Sequence, residues 1–196
     1  MHPIVSQGLC IRPFRIADAE AFAAAVRESV ATVGAWLPWC RPDYGAKEAR
    51  AWIRQCAVRL NMGMSYDVGI FSEDCSTLYG GVAINQIDHL HNVGNIGYWV
   101  REGLQRQGIA TGAARAMAVF GFETLKLTRL EIVAAVDNIA SRAVAEKLEA
   151  TFECVARNRL FVRGMPIAAA VYSLIPEDIK RSANENRQDL PSAPEN

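Results

Sequence analysis

The sequence predicts an α/β protein, a sandwich built around one mixed β-sheet of about seven strands. Three observations predict it. Short segments of alternating apolar and polar residues recur between Gly, Pro, Asn and Asp breaks. Four longer runs place apolar residues at helical spacing. The two kinds interleave as a strand and two helices, three strands, helix, strand, helix and two strands. With 51% of 196 residues hydrophobic and 21% charged, the chain closes one good-sized core rather than two.

Leu9 to Phe14 alternates like a short strand, and Asp18 stands as N-cap before the Ala/Glu/Phe-rich run Ala19 to Val30. Gly34 to Pro42 carries two prolines with Trp36 and Trp39, a loop whose rings must pack somewhere. Helix resumes from Ala46 to Leu60. Tyr66 to Phe71, Leu78 to Ile87 and Asn95 to Val100 then read as a meander, broken at Asp74, Gly80-Gly81 and His89 to Gly94. Ile109, Ala113, Ala116, Met117, Phe120 and Leu125 recur at helical spacing, whereas Leu130, Ile132, Ala134 and Val136 line one strand face. A helix over Ile139 to Leu148 and strands over Phe152 to Phe161 and Ile167 to Leu174 complete the domain, residues 1–176. From Glu177 the chain offers almost no apolar side chains, so residues 177–196 are expected to form a polar, flexible tail.

Lysine plus arginine total 21, as do aspartate plus glutamate, so no net field recruits nucleic acid or an anionic membrane. Met1 to Gln7 shows no basic region followed by an apolar run, and no stretch approaches the ~20 apolar residues of a spanning helix. A soluble, cytoplasmic protein is expected. Cys10, Cys40, Cys56, Cys75 and Cys154 are scattered without a C-x-x-C pair, and their odd number suits reduced thiols better than a disulfide framework. His89 and His91 stand in a polar stretch without ligand spacing, so no metal site is expected.

One segment carries chemistry. Gly103 to Thr111 lies between the strand ending near Val100 and the helix beginning near Gly108, and Gly108, Ala110 and Gly112 are small enough for a ligand to approach the backbone. The first-turn N–H groups of a helix favour a phosphate anion, which makes Gln105, Arg106, Gln107, Gly108, Ile109, Ala110 and Thr111 candidates for gripping a pyrophosphate. Gln105 and Gln107 replace the first two glycines of a dinucleotide fingerprint and no P-loop lysine is present, which argues against nicotinamide cofactors and ATP.

From about Gly8 to Asp178 the chain resembles the GNAT superfamily of acetyl-coenzyme A (acetyl-CoA)-dependent N-acetyltransferases. The loop is similar to that family's Gln/Arg-x-x-Gly-x-Gly/Ala. Ile96-Gly97-Tyr98-Trp99-Val100 looks like the strand before it, with Tyr98, Trp99 and Val100 against the coenzyme. Asn138-Ile139-Ala140-Ser141 with Glu146-Lys147-Leu148 looks like the segment beside the sulfur, so Lys147 joins the coenzyme-binding candidates. Trp36-Leu37-Pro38-Trp39 and Val171-Tyr172-Ser173-Leu174 look like the RimJ/RimL branch. The resemblance implies a three-layer α+β sandwich with a mixed, mostly antiparallel sheet flanked by helices. It also implies direct acetyl transfer to a primary amine, most simply a protein N-terminal α-amine of ribosomal-protein type. A small-molecule amine is the near alternative, and a non-catalytic coenzyme A sensor a further one.

Direct transfer needs proximity, an oxyanion donor, a base for the amine and a donor for the leaving thiolate. The resemblance gives the oxyanion to a backbone N–H on the Tyr98 strand, the sulfur to Ser141, and the coenzyme arm or a water to Asn138. Asn138 also suits the cap of the helix beginning at Ile139. Glu131 is either the base or an ion-pair partner of Arg129 on the same strand face, and water is a third candidate. Trp36, Trp39 and Tyr44 either wall the acceptor cleft or anchor their loop, and His89 borders that cleft or simply sits in solvent. A homodimer through the final strands is compatible with the pattern but not demanded by it.

Three residues depart from the family pattern: Glu149 and Cys154 stand where glycine is usual, and Ala168 where aspartate is frequent. If position 149 requires positive φ, the expectation is a turn that differs locally.

Overall fold

A computed structural model describes residues 1–179. Among them eight strands form one sheet: β1 Ile4–Ser6, β2 Leu9–Pro13, β3 Tyr66–Ser72, β4 Leu78–Asp88, β5 Val93–Val100, β6 Arg129–Ala135, β7 Thr151–Val162 and β8 Met165–Leu174. They lie in the order β1-β2-β3-β4-β5-β6-β8-β7, antiparallel throughout except that β5 and β6 run parallel. The unexpected strand is β1, three residues long and too short to show alternation. Gln7 and Gly8, both at positive φ, turn it into a hairpin with β2.

Helices α1 (Ala19–Glu28) and α2 (Ala46–Asn61) cover one face, α3 (Ile109–Glu123) and α4 (Ile139–Lys147) the other. The α3/α4 face buries Ile84, Ile96, Met117, Leu130, Ile132 and Leu148. On the α1/α2 face an aromatic cluster does the packing, with Phe22 stacked on Trp52 at 4.8 Å and edge-on to Trp99 at 5.4 Å. Alternation along β5 explains the division: Ile96 and Val100 point to the α3 side and Trp99 to the other. Helices α1 and α2 sit over β3 and β4, so among the described residues they leave that side of β6 and β8 without a helix.

Two local expectations need correction. Asp18 does not cap α1 with its side chain; it accepts from the Arg15 amide at 2.6 Å and from the buried Arg12 guanidinium at 2.8 and 3.0 Å, closing a 3-10 turn over Ile16–Asp18. Burial raises its pKa, but the Arg12 hydrogen bond and the Arg15 amide outweigh that and leave the carboxyl below its ordinary value. Cys10 and Cys75 are joined in a disulfide, while Cys40, Cys56 and Cys154 are free. The pairing of β2 with β3 carries Cys10 to the β3–β4 turn that holds Cys75, a proximity hidden by 65 residues of sequence. Glu149 adopts φ +62°, and Ala150 N donates to Ala145 O and Glu149 N to Glu146 O, a left-handed helix end occupied by glutamate.

Residues 176–179 form one helical turn, in which Asp178 accepts from the Ile175 amide at 2.9 Å. The rest of the tail expected from Glu177 lies outside the described residues.

Candidate active site

Strands β5 and β6 are in register only from Val93↔Arg129 to Asn95↔Glu131, although they hold eight and seven residues. Beyond Asn95 they part. Their edge backbone groups then have no strand partner on that side, which opens a wedge in the sheet able to take an extended ligand chain.

The candidate pyrophosphate loop caps the β5 side of this wedge. Gly108 is the N-cap of α3 at φ +78°, and no side chain caps the helix. A Cβ built at Gly108 meets nothing within 4 Å, so the space in front of the first turn is clear. The first intrahelical bond runs from Gly112 N to Gly108 O, which leaves the N–H groups of Ile109, Ala110 and Thr111 without an acceptor in the helix. This arrangement fits an anion. Arg106, at φ +64°, and Gln107 are exposed beside it, whereas Ile109 is buried against the sheet.

Gln105 holds the loop in place. Its amide nitrogen donates to Val100 O and to Thr32 Oγ1, both at 3.0 Å. The end of α1 adds further ties: Ser29 Oγ accepts from Glu102 N at 3.0 Å, and Glu28 accepts from Gly103 N and pairs with Arg101. The Arg101 hydrogen bond keeps the Glu28 carboxyl below its ordinary pKa. Sequence reasoning missed Glu28, Ser29 and Thr32 because their partners lie about seventy residues away and no local pattern marks them.

Opposite the loop, Asn138 caps α4: its Oδ1 accepts from Ser141 N at 3.1 Å. The Ser141 side chain is free of the cap and faces Tyr98. The Tyr98 hydroxyl donates to Ser141 O at 2.9 Å and lies 3.2 Å from Ser141 Oγ. Burial pushes the Tyr98 phenol up to about 12, against a smaller lowering by the Ser141 hydrogen bond, so it keeps its proton at neutral pH. Sequence reasoning brought Tyr98 to the coenzyme but overlooked this hydroxyl.

Not every candidate converges. Lys147 is exposed in the last turn of α4, six residues and about 9 Å from Ser141. His89 is exposed on the β4–β5 loop, at the closed end of the wedge and about 23 Å along β5 from Val100. Tyr44 is buried with its ring 5.9 Å from Phe22, which anchors the α1–α2 loop. Trp39 packs edge-on to Trp99 at 5.7 Å but stays partly exposed, and Trp36 is half-buried in the same loop. Glu131 is on the strand face opposite Leu130, half-buried, and accepts from Arg129 at 3.0 and 3.2 Å. The same guanidinium holds both oxygens of Glu153 at 2.6 Å. Among the described residues no three His, Cys, Asp or Glu side chains gather as metal ligands, and no helix is long and apolar enough to cross a membrane. A cavity of about 170 Å³ lined by Phe14, Cys56 and Asp67 lies under α2, away from the wedge.

The family model described as acetyltransferase (GNAT) domain matches residues 8–151. A Bacillus subtilis (strain 168) protein, YdaF, provisionally named a ribosomal N-acetyltransferase, is 31% identical over 181 residues, spanning 89% of this chain and 94% of its own. A solved Vibrio cholerae structure, provisionally described as a ribosomal-protein-serine acetyltransferase, is 36% identical, covers 89% of this chain and 98% of its own, and has a TM-score of 0.79. RimJ of Mycobacterium smegmatis, solved in complex with CoA-disulfide, shares the fold at a TM-score of 0.83 and 20% identity, over 95% of this chain and 94% of its own.

Proposed function

The chain belongs to the GNAT family, is an acetyl-CoA-dependent acetyltransferase related to the RimJ/RimL-like enzymes, and, we propose, transfers acetyl to the N-terminal α-amine of a protein acceptor of ribosomal type. The observation that carries the site assignment is the wedge itself, with an uncapped helix end on one side and the Tyr98–Ser141 contact on the other. The acceptor assignment rests on what the relatives are named for.

Acetyl-CoA supplies an activated acyl thioester. In this reading the N–H groups of Gly108 to Thr111 hold its pyrophosphate, aided by the charge of Arg106, while Gln105 keeps the loop in shape. Backbone N–H groups on the open edge of β5, near Tyr98, stabilise the carbonyl oxygen as it gains charge. Ser141 Oγ donates to the departing sulfur, and Tyr98, whose protonated hydroxyl donates to the Ser141 carbonyl, holds the first turn of α4 so that this hydroxyl stays beside the wedge. Asn138 acts through the cap that fixes the Ser141 backbone. Glu131, on the helix-free side, takes the proton of the incoming ammonium. An α-amine with a pKa near ~8 needs less help than a lysine amine near ~10.4.

Thioester cleavage with a panel of Ser- and Ala-initiated peptides, lysine peptides and small amines tests this, with mass spectrometry locating the acetyl group. Transfer to peptide α-amines above all others is expected; transfer to small amines alone would overturn the acceptor assignment.

A further inference from the structure

We propose that the preferred acceptor is a polypeptide whose N-terminal residue is followed, at about its fourth to sixth positions, by acidic side chains, and that Arg157 and Arg159 recognise them. This rests on the α-amine reading above. Three observations converge on it.

The first is the open path. On the α1/α2 side neither α1 nor α2 packs on β6 or β8 among the described residues, so a chain whose amine reaches the wedge has these strands to lie across. The register fixes where it goes. The wedge opens at the level of Val133 to Ala135, which pair with Val171 to Ala169 on β8, which in turn face Cys154 to Ala156 on β7. Arg157 follows at once.

The second is the character of that rim. Strand β7 is one of the two edges of the sheet, and its ladder with β8 breaks between Ala156↔Ala169 and Leu160↔Ile167, so that Arg157, Asn158 and Arg159 bulge out, with Asn158 at φ +52°. Both arginines are exposed, and neither has a hydrogen-bond or ion-pair partner among the described residues. Arg12, Arg41, Arg50, Arg59, Arg101 and Arg129, by contrast, each have a carboxylate partner. From Thr151 to Leu174 three arginines face a single carboxylate, Glu153, which Arg129 already holds. Arg163 at the hairpin tip donates to Gly34 O at 2.9 Å, which ties the basic arm to the α1–α2 loop bordering the same cleft.

The third is polarity. At the wedge end the single charge of Arg129 is shared by Glu131 and Glu153, so one negative charge is left to meet an ammonium. Negative at the wedge and positive at the rim is the complement of a chain that begins with an amine and continues with carboxylates. The span agrees. From the wedge to β7 is two and a half strand spacings, about 12 Å, which an extended chain covers in three to four residues at ~3.4 Å each.

The test compares kcat/KM for three peptides sharing a Ser-initiated first triplet and differing at residues 4–6, which are all Glu, all Gln or all Lys. With the wild type at low salt the Glu peptide is expected to exceed the Gln peptide roughly tenfold and the Lys peptide by more, a preference that shrinks as salt is raised. The double variant R157E/R159E should reverse the order, and its exposed positions leave the melting curve unchanged. Equal kcat/KM for the three peptides, or an unreversed preference in the folded variant, overturns this inference alone. Absence of α-amine acetylation with every peptide overturns the underlying reading and this inference with it.

Discussion

Tyr98 donates its phenolic proton to the main-chain carbonyl of Ser141, and the two side-chain hydroxyls lie 3.2 Å apart, bridging β5 to the first turn of α4 across the opening in the sheet. The cap of that helix is made by a different pair, Asn138 Oδ1 and Ser141 N. The two roles can therefore be separated by substitution. Ser141→Ala leaves the cap intact and should slow turnover by roughly 10²-fold with coenzyme affinity almost unchanged, because a donor to the departing sulfur acts in the transition state. Asn138→Ala removes the cap and should cost about 1 kcal/mol of stability. If Tyr98→Phe slows turnover and the double variant with Ser141→Ala is no slower than the worse single one, the two hydroxyls act as a unit. Additive losses would detach Tyr98 from Ser141.

Gly108→Asp is expected to weaken coenzyme binding at least tenfold, measured by calorimetry. Its Cβ meets nothing within 4 Å, so the side chain enters the space in front of α3 and puts a negative charge where an anion is to bind. Positive φ at this position adds about 1 kcal/mol of destabilisation for any non-glycine residue. Gly108→Ala carries that strain without the charge and serves as the control. Equal affinity in the Ala and Asp variants would remove the pyrophosphate assignment.

Cys75→Ser should lower stability by about 2–4 kcal/mol in denaturant melts run without reductant, the amount expected when a cross-link closing a loop of 65 residues is lost. Identical melts of wild type and variant would mean the thiols are not joined in solution.

The core was legible in the sequence wherever periodicity was long. Ile96, Leu130 and Ile132 alternate, Ala113 and Met117 recur at helical spacing, and each pattern had a buried face to match. The glycine and small residues around Gly108 were legible too, because a helix start after a strand leaves a local signature. What escaped was non-local. Asp18 looks like an ordinary N-cap until the Arg12 guanidinium, lying 3.7 Å over the Phe71 ring, is found to take both of its oxygens. The Thr32–Gln105 and Cys10–Cys75 contacts join segments whose adjacency exists only after the sheet is assembled. Glu131 was legible as a residue and ambiguous as a role, and the ambiguity is now the network around Arg129.

That network decides what Glu131→Gln should do. One guanidinium bridges Glu131 and Glu153, with Glu153 taking the two shorter bonds and Ser173 Oγ adding a third at 2.8 Å. The Arg129 hydrogen bond holds the Glu153 carboxyl below its ordinary pKa, so Glu153 stays charged and occupies the arginine. Glutamine at 131 keeps an oxygen for Arg129 and removes the surplus charge. Both side chains of the 129–131 pair are about a quarter exposed, so the structural cost should stay below about 1 kcal/mol. The chemical cost depends on the acceptor. For an α-amine near ~8 a useful fraction is neutral without help, and the loss is expected to be under about threefold. For a lysine amine near ~10.4 the base matters more, and the loss should reach ~10²-fold. Raising the pH should recover that loss, since the amine then deprotonates in solvent. Steady-state kinetics on paired α-amine and lysine substrates between neutral and alkaline pH measure this directly. Equal losses on both substrates, unrelieved by alkaline pH and accompanied by a lower melting temperature, would make Glu131 a strand-to-strand tie and leave deprotonation to water.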